Sequence, residues 1–432
     1  MFIPSTGAGC GPRGLSLKAV IFRMFLSSVF IPAVLLSGGC VEKGEQDYIL
    51  SLTYPEIREL AENSEVSFYM WGGDPSINRW VQDYLVPRVL EEAGIVLKPV
   101  FIRDAADFVE KLAAEKVSGI REGTADLVWI NGENFRNARI QGLLTGPYTH
   151  LLPNMKKYVE PRFAETDFGF SVDGYETPYG RAQFVFEYDS HAVIEPPRSY
   201  EELRAWIIAH PGRFTYPKPP DFTGSAFIRQ AFYELSTGYE PFLERSAVKI
   251  LKPSLVTANT EALWEYLKEI EPYLWREGRE YPENVSRLVT LFVDGEVDFC
   301  MFYNPNHAAV QVRNGIYRDS VRTFVMRRNS LSNTNFTAIP FNAPNKAGAL
   351  VLSNILISPE VQLSKADPAG WGGLPILDFS RLEEEHKIRF SSMERGVAAL
   401  PFTVLSLNAV PEIPPGYVEL LEVGWQEHFP GR

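Results

Sequence analysis

Three short apolar segments, Val66–Trp71, Ile95–Phe101 and Leu127–Ile130, alternate with two amphipathic stretches near the start of the chain. In the first stretch Ile77, Trp80, Val81, Tyr84, Leu85 and Val89 recur at helical spacing, and in the second Phe108, Val109 and Leu112 do so. Asp74-Pro75 and Asp104 stand where N-caps are expected. A strand–helix–strand–helix–strand run needs parallel strands with helices laid over the faces. Ligands of such sheets sit at the carboxyl ends of the strands. That rule selects two loops, Trp71-Gly-Gly-Asp-Pro-Ser-Ile-Asn78 and Asn131-Gly-Glu-Asn134.

At 432 residues the chain exceeds what one core usually holds, so two lobes are expected. Its formal charge is −12. Residues 1–39 carry Arg13, Lys18 and Arg23 and no acid, so their removal would deepen the charge to −15. This balance argues against nucleic acid as the main partner.

Met24–Leu36 is apolar, follows Lys18 and Arg23, and runs through Ser37-Gly38-Gly39 into Cys40. It is too short to span a bilayer and fits the core of a signal peptide. Small residues ending in a cysteine resemble a lipoprotein signal, which makes 1–39 the signal, Cys40 the lipidated residue and 40–65 a tether. Ser37 departs from the branched aliphatic residue expected three places before that cysteine. Cys300, inside the apolar Val297–Phe302, reads as a core residue.

A second α/β unit follows. Ser199 with Glu202 forms a capping box before Leu203, Trp206 and Ile207. Arg213–Tyr216 reads as a strand, after which Pro217, Pro219 and Pro220 bar ladder bonds. Phe227, Ile228, Ala231, Phe232 and Leu235 form a helix face beyond it, with Asp221, Phe222, Thr223, Gly224 and Ser225 at the helix start. Free N–H groups beside small residues and an aromatic suit the capture of a small polar ligand. A capped turn is the competing reading.

Phe336–Leu350 with Ile357–Gln362, and Gly295-Glu-Val-Asp298 before Tyr303-Asn304, resemble segments of bacterial periplasmic solute-binding proteins. Phe214–Phe227, Trp71-Gly-Gly and Trp129-Ile-Asn-Gly-Glu-Asn134 are similar to the YnjB-like subfamily of ABC-importer components. This subfamily is distantly similar to thiamine, polyamine and ferric-ion binders. The resemblance covers about residues 66–425. It implies a two-lobed α/β periplasmic-binding-protein fold, type II-like, each lobe a mostly parallel sheet flanked by helices. By this reading 66–188 begin lobe 1, 189–305 form lobe 2, and 306–432 return to lobe 1 and add C-terminal helices.

The implied function is capture of a small organic solute, cationic and thiamine-like as the first expectation, by hinge closure and delivery to a membrane permease and its ATPase. Catalysis and cofactors are not expected. The protein is expected to be a monomer, anchored by lipid at the periplasmic or cell surface.

By loop position the resemblance assigns Trp71, Gly72, Gly73 and Asn78 to the cleft, with Asn131 and Glu133 in the second loop. Tyr179 and Gln183 mark the lobe junction. Tyr216, Asp221, Phe222, Thr223 and Ser225 come from lobe 2, Tyr303 and Asn304 from the return, and Trp371 more weakly. Trp71 and Tyr216 have core packing as the alternative role, Asn131 a turn cap, and Glu133 and Asp221 an N-cap.

Sharper chemistry finds less support. The chain has no Tyr-Tyr pair for ferric iron, no Gly-x-Ser-x-Gly turn and no Gly-Lys-Ser/Thr phosphate loop. Glu383 and His386 lie in a charged run that reads as a solvated face. The rival class is a secreted lipoprotein enzyme, such as a glycosidase with paired carboxylates.

Overall fold

The computed structural model describes residues 48–72, 75–102, 105–243 and 253–432. Gly73, the expected caps Asp74 and Asp104, and Cys40 lie outside them.

α1 (Tyr54–Ala61) opens with Glu56 reaching back to the Thr53 N–H at 2.7 Å. Its Ile57 is buried, and Ile49 and Ala61 join the same core. The short helix that Thr53 and Glu56 promise within the tether is present, but residues 48–61 pack on the protein instead of serving only as a tether. Apolar residues at helical spacing outweighed the charged composition of the segment.

β1 (Glu65–Trp71) leads to α2 (Pro75–Trp80), which passes through a π-turn at Val81–Leu85 into α3 (Val86–Ala93). Trp80, Val81, Leu85 and Val89 are buried, as the helical spacing requires. β2 (Val96–Ile102), α4 (Ala105–Val117), β3 (Leu127–Ile130), α5 (Glu133–Ile140) and α6 (Pro153–Tyr158) follow. β1 pairs in parallel with β2 on one side and β3 on the other.

A short hairpin, β4 (Thr166–Asp167) and β5 (Phe170–Ser171), precedes β6 (Glu176–Gln183). β7 (Val185–Asp189), α7 (Tyr200–Ala209), α8 (Phe222–Leu235), α9 (Pro253–Thr257), α10 (Glu261–Ile270) and α11 (Val285–Val293) come next. They are followed by β8 (Phe299–Phe302), α12 (His307–Arg313), β9 (Val321–Phe324) and β10 (Ser330–Ala338). α13 (Lys346–Leu356), α14 (Pro359–Ala366), α15 (Glu384–Ser391), α16 (Phe402–Asn408), β11 (Ala409–Pro411) and α17 (Pro415–His428) complete the chain.

The larger sheet has the order β11-β10-β3-β1-β2, with β6 on the other edge of β10. β10 runs antiparallel to β3 and β6. Alternation along the strands supplies a core on each face. Leu127 joins Phe68, Met70 and the apolar face of α13, whereas Val128 and Ile130 join Phe108, Leu112 and Phe336.

The second core gathers α7, α8, α10, α11 and α17 around a three-stranded sheet, β8-β7-β9. That sheet is antiparallel throughout, not the mostly parallel one expected for this lobe. β7 enters this half directly from β6, and β9 leaves it toward β10, so the two must run oppositely. Arg213–Tyr216 forms no ladder. The Arg213 and Phe214 carbonyls instead accept single bonds from the Asp298 and Trp275 N–H groups, and the prolines stop any continuation.

Three segments cross between the halves: Gln183–Val185, residues 325–329, and residues 409–413, the last leading into α17. Trp425, Tyr417 and Leu421 of α17 pack in the second core.

Candidate functional site

The sheet of the first half ends in an aromatic cluster. Trp71, 44% exposed at the end of β1, stands edge-on to Trp129, ring centres 6.4 Å apart. Trp129 lies 5.4 Å from Tyr179 and 5.9 Å from Trp371, which in turn meets Trp80 at 5.3 Å. Beneath them the buried Lys365 ammonium donates to the Tyr179 carbonyl at 2.6 Å. It lies 4.2 Å from the Tyr179 ring centre and 4.0 Å from that of Trp371. Burial pushes this ammonium well below its ordinary range.

The glycine and amide residues of the two loops shape the backbone around this cluster. Gly72 donates to the Ile102 carbonyl, and a Cβ there would lie 2.7 Å from Phe101 Cβ. Asn78 donates to the Gly72 carbonyl at 2.9 Å, while its own Oδ1 is buried without a partner among the described residues. Asn131 accepts from the Trp129 indole at 2.6 Å and donates to the Thr334 carbonyl at 2.7 Å, linking β3 to β10. Glu133, first residue of α5, is exposed.

At the junction, Tyr179 and Gln183 are buried. Gln183 donates to Ser330 Oγ and the Leu405 carbonyl, both at 2.9 Å, so its amide ties three chain segments together.

In the second half the structure separates residues that the sequence grouped. Tyr216 is wholly buried, stacked on Phe227 at 4.6 Å, with its hydroxyl accepting from the Trp425 indole. Asp221 caps α8 by accepting from the Thr223 and Gly224 N–H groups, and its other oxygen accepts from the Val285 N–H. Thr223 and Ser225 are buried. Ser225 donates to Glu422 at 2.5 Å and accepts from Arg229 at 2.7 Å. These four therefore carry structural work, because the free N–H groups of the helix start already have a carboxylate partner.

Phe222 alone of that group is exposed, at 49%, with its ring 4.9 Å from Tyr303. The Tyr303 hydroxyl donates to Glu412 at 2.5 Å. Glu412 also accepts two bonds from Arg229, at 2.8 and 2.9 Å, in a wholly buried ion pair. The neighbouring Asn304 accepts from the Asn306 N–H at 3.0 Å. Asn306 in turn donates to the Gly372 carbonyl, bringing the Tyr303–Asn306 loop onto the loop of Trp371.

A cavity of about 540 Å³ lies next to the partners of these loops: it is lined by Thr334, which accepts from Asn131, and by Glu412, which accepts from Tyr303, and not by the loop residues themselves. Phe163, Phe168, Asn333 and Thr334 wall it from the sheet side, Tyr239 and Leu243 from the second half, and Glu412 from the third crossing. Trp129, Phe168, Lys365, Arg229 and Glu412 were not singled out by sequence. The parity of β3, which points Trp129 the same way as Asn131, could have found the first. The others come together only through the tertiary fold.

Two lobes, three crossing segments and a cleft at the strand ends define the architecture of a periplasmic-type binding protein. Solved structures with the same fold include an ABC transporter protein from Clostridium perfringens, at TM-score 0.58 and 17% identity, covering 84% of this chain and 98% of that one. Another is the spermidine/putrescine ABC transporter substrate-binding protein PotD from Streptococcus pneumoniae, at TM-score 0.57 and 15% identity, covering 85% and 99%. Protein YnjB of Escherichia coli (strain K12) is 35% identical over 378 residues, 87% of this chain and 94% of its own length. Residues 88–387 match the bacterial extracellular solute-binding protein family, and the chain belongs to that family. It is the solute-binding component of an ABC importer, working at the periplasmic or outer face of the membrane with a permease and ATPase complex.

Proposed function

We propose that the protein captures a small organic solute between its lobes, at the strand ends carrying Trp71, Trp129 and Asn131 and against Phe222, Tyr303 and Asn304. One observation carries this reading: a cavity of about 540 Å³ is walled by both halves of the molecule and by the third crossing, and although none of those six residues lines it, its wall residues Thr334 and Glu412 are the hydrogen-bond partners of Asn131 and Tyr303. A solute bridging such walls stabilises the closed state by its contacts to both lobes. Its volume suits a vitamin- or amino-acid-sized molecule. The solute is held and released unchanged, with no chemistry. The half-exposed Trp71 and the exposed Phe222 support a solute with an aromatic or cationic part, thiamine-like in character. The protein acts as a monomer tethered through lipid on Cys40.

A thermal-shift screen against vitamins, polyamines, amino acids, sugars and oxyanions tests the reading. A solute at 100 times its dissociation constant adds about 2.7 kcal/mol of stability. The expected result is a saturable shift with one chemical class and no turnover. Product formation from any of these compounds, or from a glycan, would refute it. Mass spectrometry of the membrane-extracted protein tests the anchor: an unmodified Cys40 removes that part.

A further inference from the structure

The β4–β5 hairpin borders the cavity, and its neighbouring residues Asp167 and Phe168 face opposite ways. Phe168 and Gly169 form a two-residue turn with φ of 43° and 73°. Such a turn matches the twist of a hairpin but is strained at a phenylalanine. The strain is held in place from both sides. A Cβ on Gly132 would meet the Phe168 ring at 3.3 Å, and one on Gly169 would meet Pro414 at 2.9 Å.

Phe168 lines the cavity. Its neighbour Asp167 turns inward, 1% exposed, and accepts from the Gly132 N–H at 2.5 Å. Gly132 is the residue after Asn131, whose amide oxygen holds the Trp129 indole. A buried carboxyl group thus helps to hold this loop, alongside the bond from Asn131 to the Thr334 carbonyl.

That carboxyl group lacks a compensating charge. Its Oδ1 has no hydrogen-bond partner among the described residues, and neither oxygen of Glu176, fully buried at the start of β6, has one. Glu176 is the charged neighbour that faces Asp167 from β6. Arg136 and Arg139 of α5 are directed onto aromatic rings, Arg136 near Phe170 at 5.9 Å and Arg139 over Tyr175 at 3.5 Å. Buried unpaired carboxylates are costly, and the neutral acid is the favoured form in such surroundings. Burial pushes the Asp167 carboxyl up to about 8, against the opposing Gly132 N–H and Asn131 amide. Burial and the nearby Asp167 push Glu176 well above the usual range.

We propose that Asp167 is a proton-dependent positioning residue for the solute cleft: its neutral form holds the Trp129–Gly132 loop in place, and loss of its proton releases that loop. The proposal rests on the placement of the solute at these strand ends. The sign follows from the raised folded-state value. The native state keeps a proton that the unfolded chain gives up near pH 4. The native hold is therefore complete below about pH 4, weakens progressively as pH rises, and has lost this contribution once pH passes about 8. Solute grip should weaken in the same direction.

Amide hydrogen exchange of the purified protein without solute tests the positioning independently of the cargo. Exchange is followed in the peptide spanning Trp129–Phe135 from pH 6 to 9.5 and corrected for intrinsic rates. In the wild type protection should fall by about tenfold per pH unit from pH 6 to about 8 and then level off. Asp167→Asn, which keeps an acceptor but no titrating proton, should remove this pH dependence. Asp167→Ala should be poorly protected at every pH. Glu176→Gln, which removes the neighbouring carboxyl but leaves the Asp167–Gly132 contact, should leave the transition in place. Constant protection across the range in the wild type would overturn the proposal. So would a transition that survives in Asp167→Asn, or one abolished by Glu176→Gln alone. Should Asp167→Asn not fold, the wild type and Glu176→Gln still decide the matter. Failure of the solute screen would leave this result untouched.

Discussion

The loop after β1 and the start of α8 look alike in sequence: an apolar strand-like run, a glycine, small polar residues and aromatics. The structure gives them different work. At the end of β1, Trp71 is 44% exposed and meets other rings only at its edge. At the start of α8, Asp221, Thr223 and Ser225 satisfy the helix terminus and a buried ion network, and Tyr216 lies in the core. The difference comes from what lies beyond each segment. A parallel strand that ends at the sheet edge leaves its last residues open to the cleft. The start of α8 is instead covered by the third crossing, whose Glu412 anchors to Arg229 and Tyr303.

The largest expected effect tests the structural side of this contrast. Arg229→Ala leaves Glu412 buried without its counter-ion and should cost about 3–5 kcal/mol in chemical denaturation. A loss below about 1 kcal/mol would mean that the third crossing is loosely held and α8 more open than described. Gly224→Ala should come next, since a Cβ there would lie 1.9 Å from the Pro217 carbonyl oxygen. Overpacking against backbone costs about 1–3 kcal/mol, and a neutral outcome would show that the turn yields.

Trp71→Ala tests the other side. Solute affinity should fall at least about tenfold, near 1.4 kcal/mol, while the denaturation midpoint stays within about 0.5 kcal/mol of wild type. Loss of cooperative unfolding would place Trp71 in the core. Tyr216→Phe should show the smallest effect, about 1 kcal/mol of stability from one hydrogen bond and no change in affinity. A drop in affinity at unchanged stability would dissolve the distinction between the two regions.

Much of the fold was legible because its causes are local. The periodicity of Trp80, Val81, Leu85 and Val89 specifies a helix face wherever that helix packs. The Ser199 cap acts within one turn, accepting from the Glu202 N–H as its spacing implies. The antiparallel sheet of the second lobe and the missing ladder at Arg213–Tyr216 were not legible, since both depend on where distant strands enter and leave.

For the site, sequence alone placed aromatic and amide residues at the strand ends of the first lobe, because strand order and chain direction decide it, while the exposure of Trp71 was left open until the structure showed it. It also determined that Asp221 can cap a helix. Only the tertiary structure decided that this cap is fully used, that Tyr216 is sealed beneath Trp425, and that Asp167 and Glu176 are buried close together. Burial and partner choice depend on segments up to 200 residues or more apart in the chain, as Ser225 with Glu422 and Tyr216 with Trp425 show. No local spacing rule reaches that far.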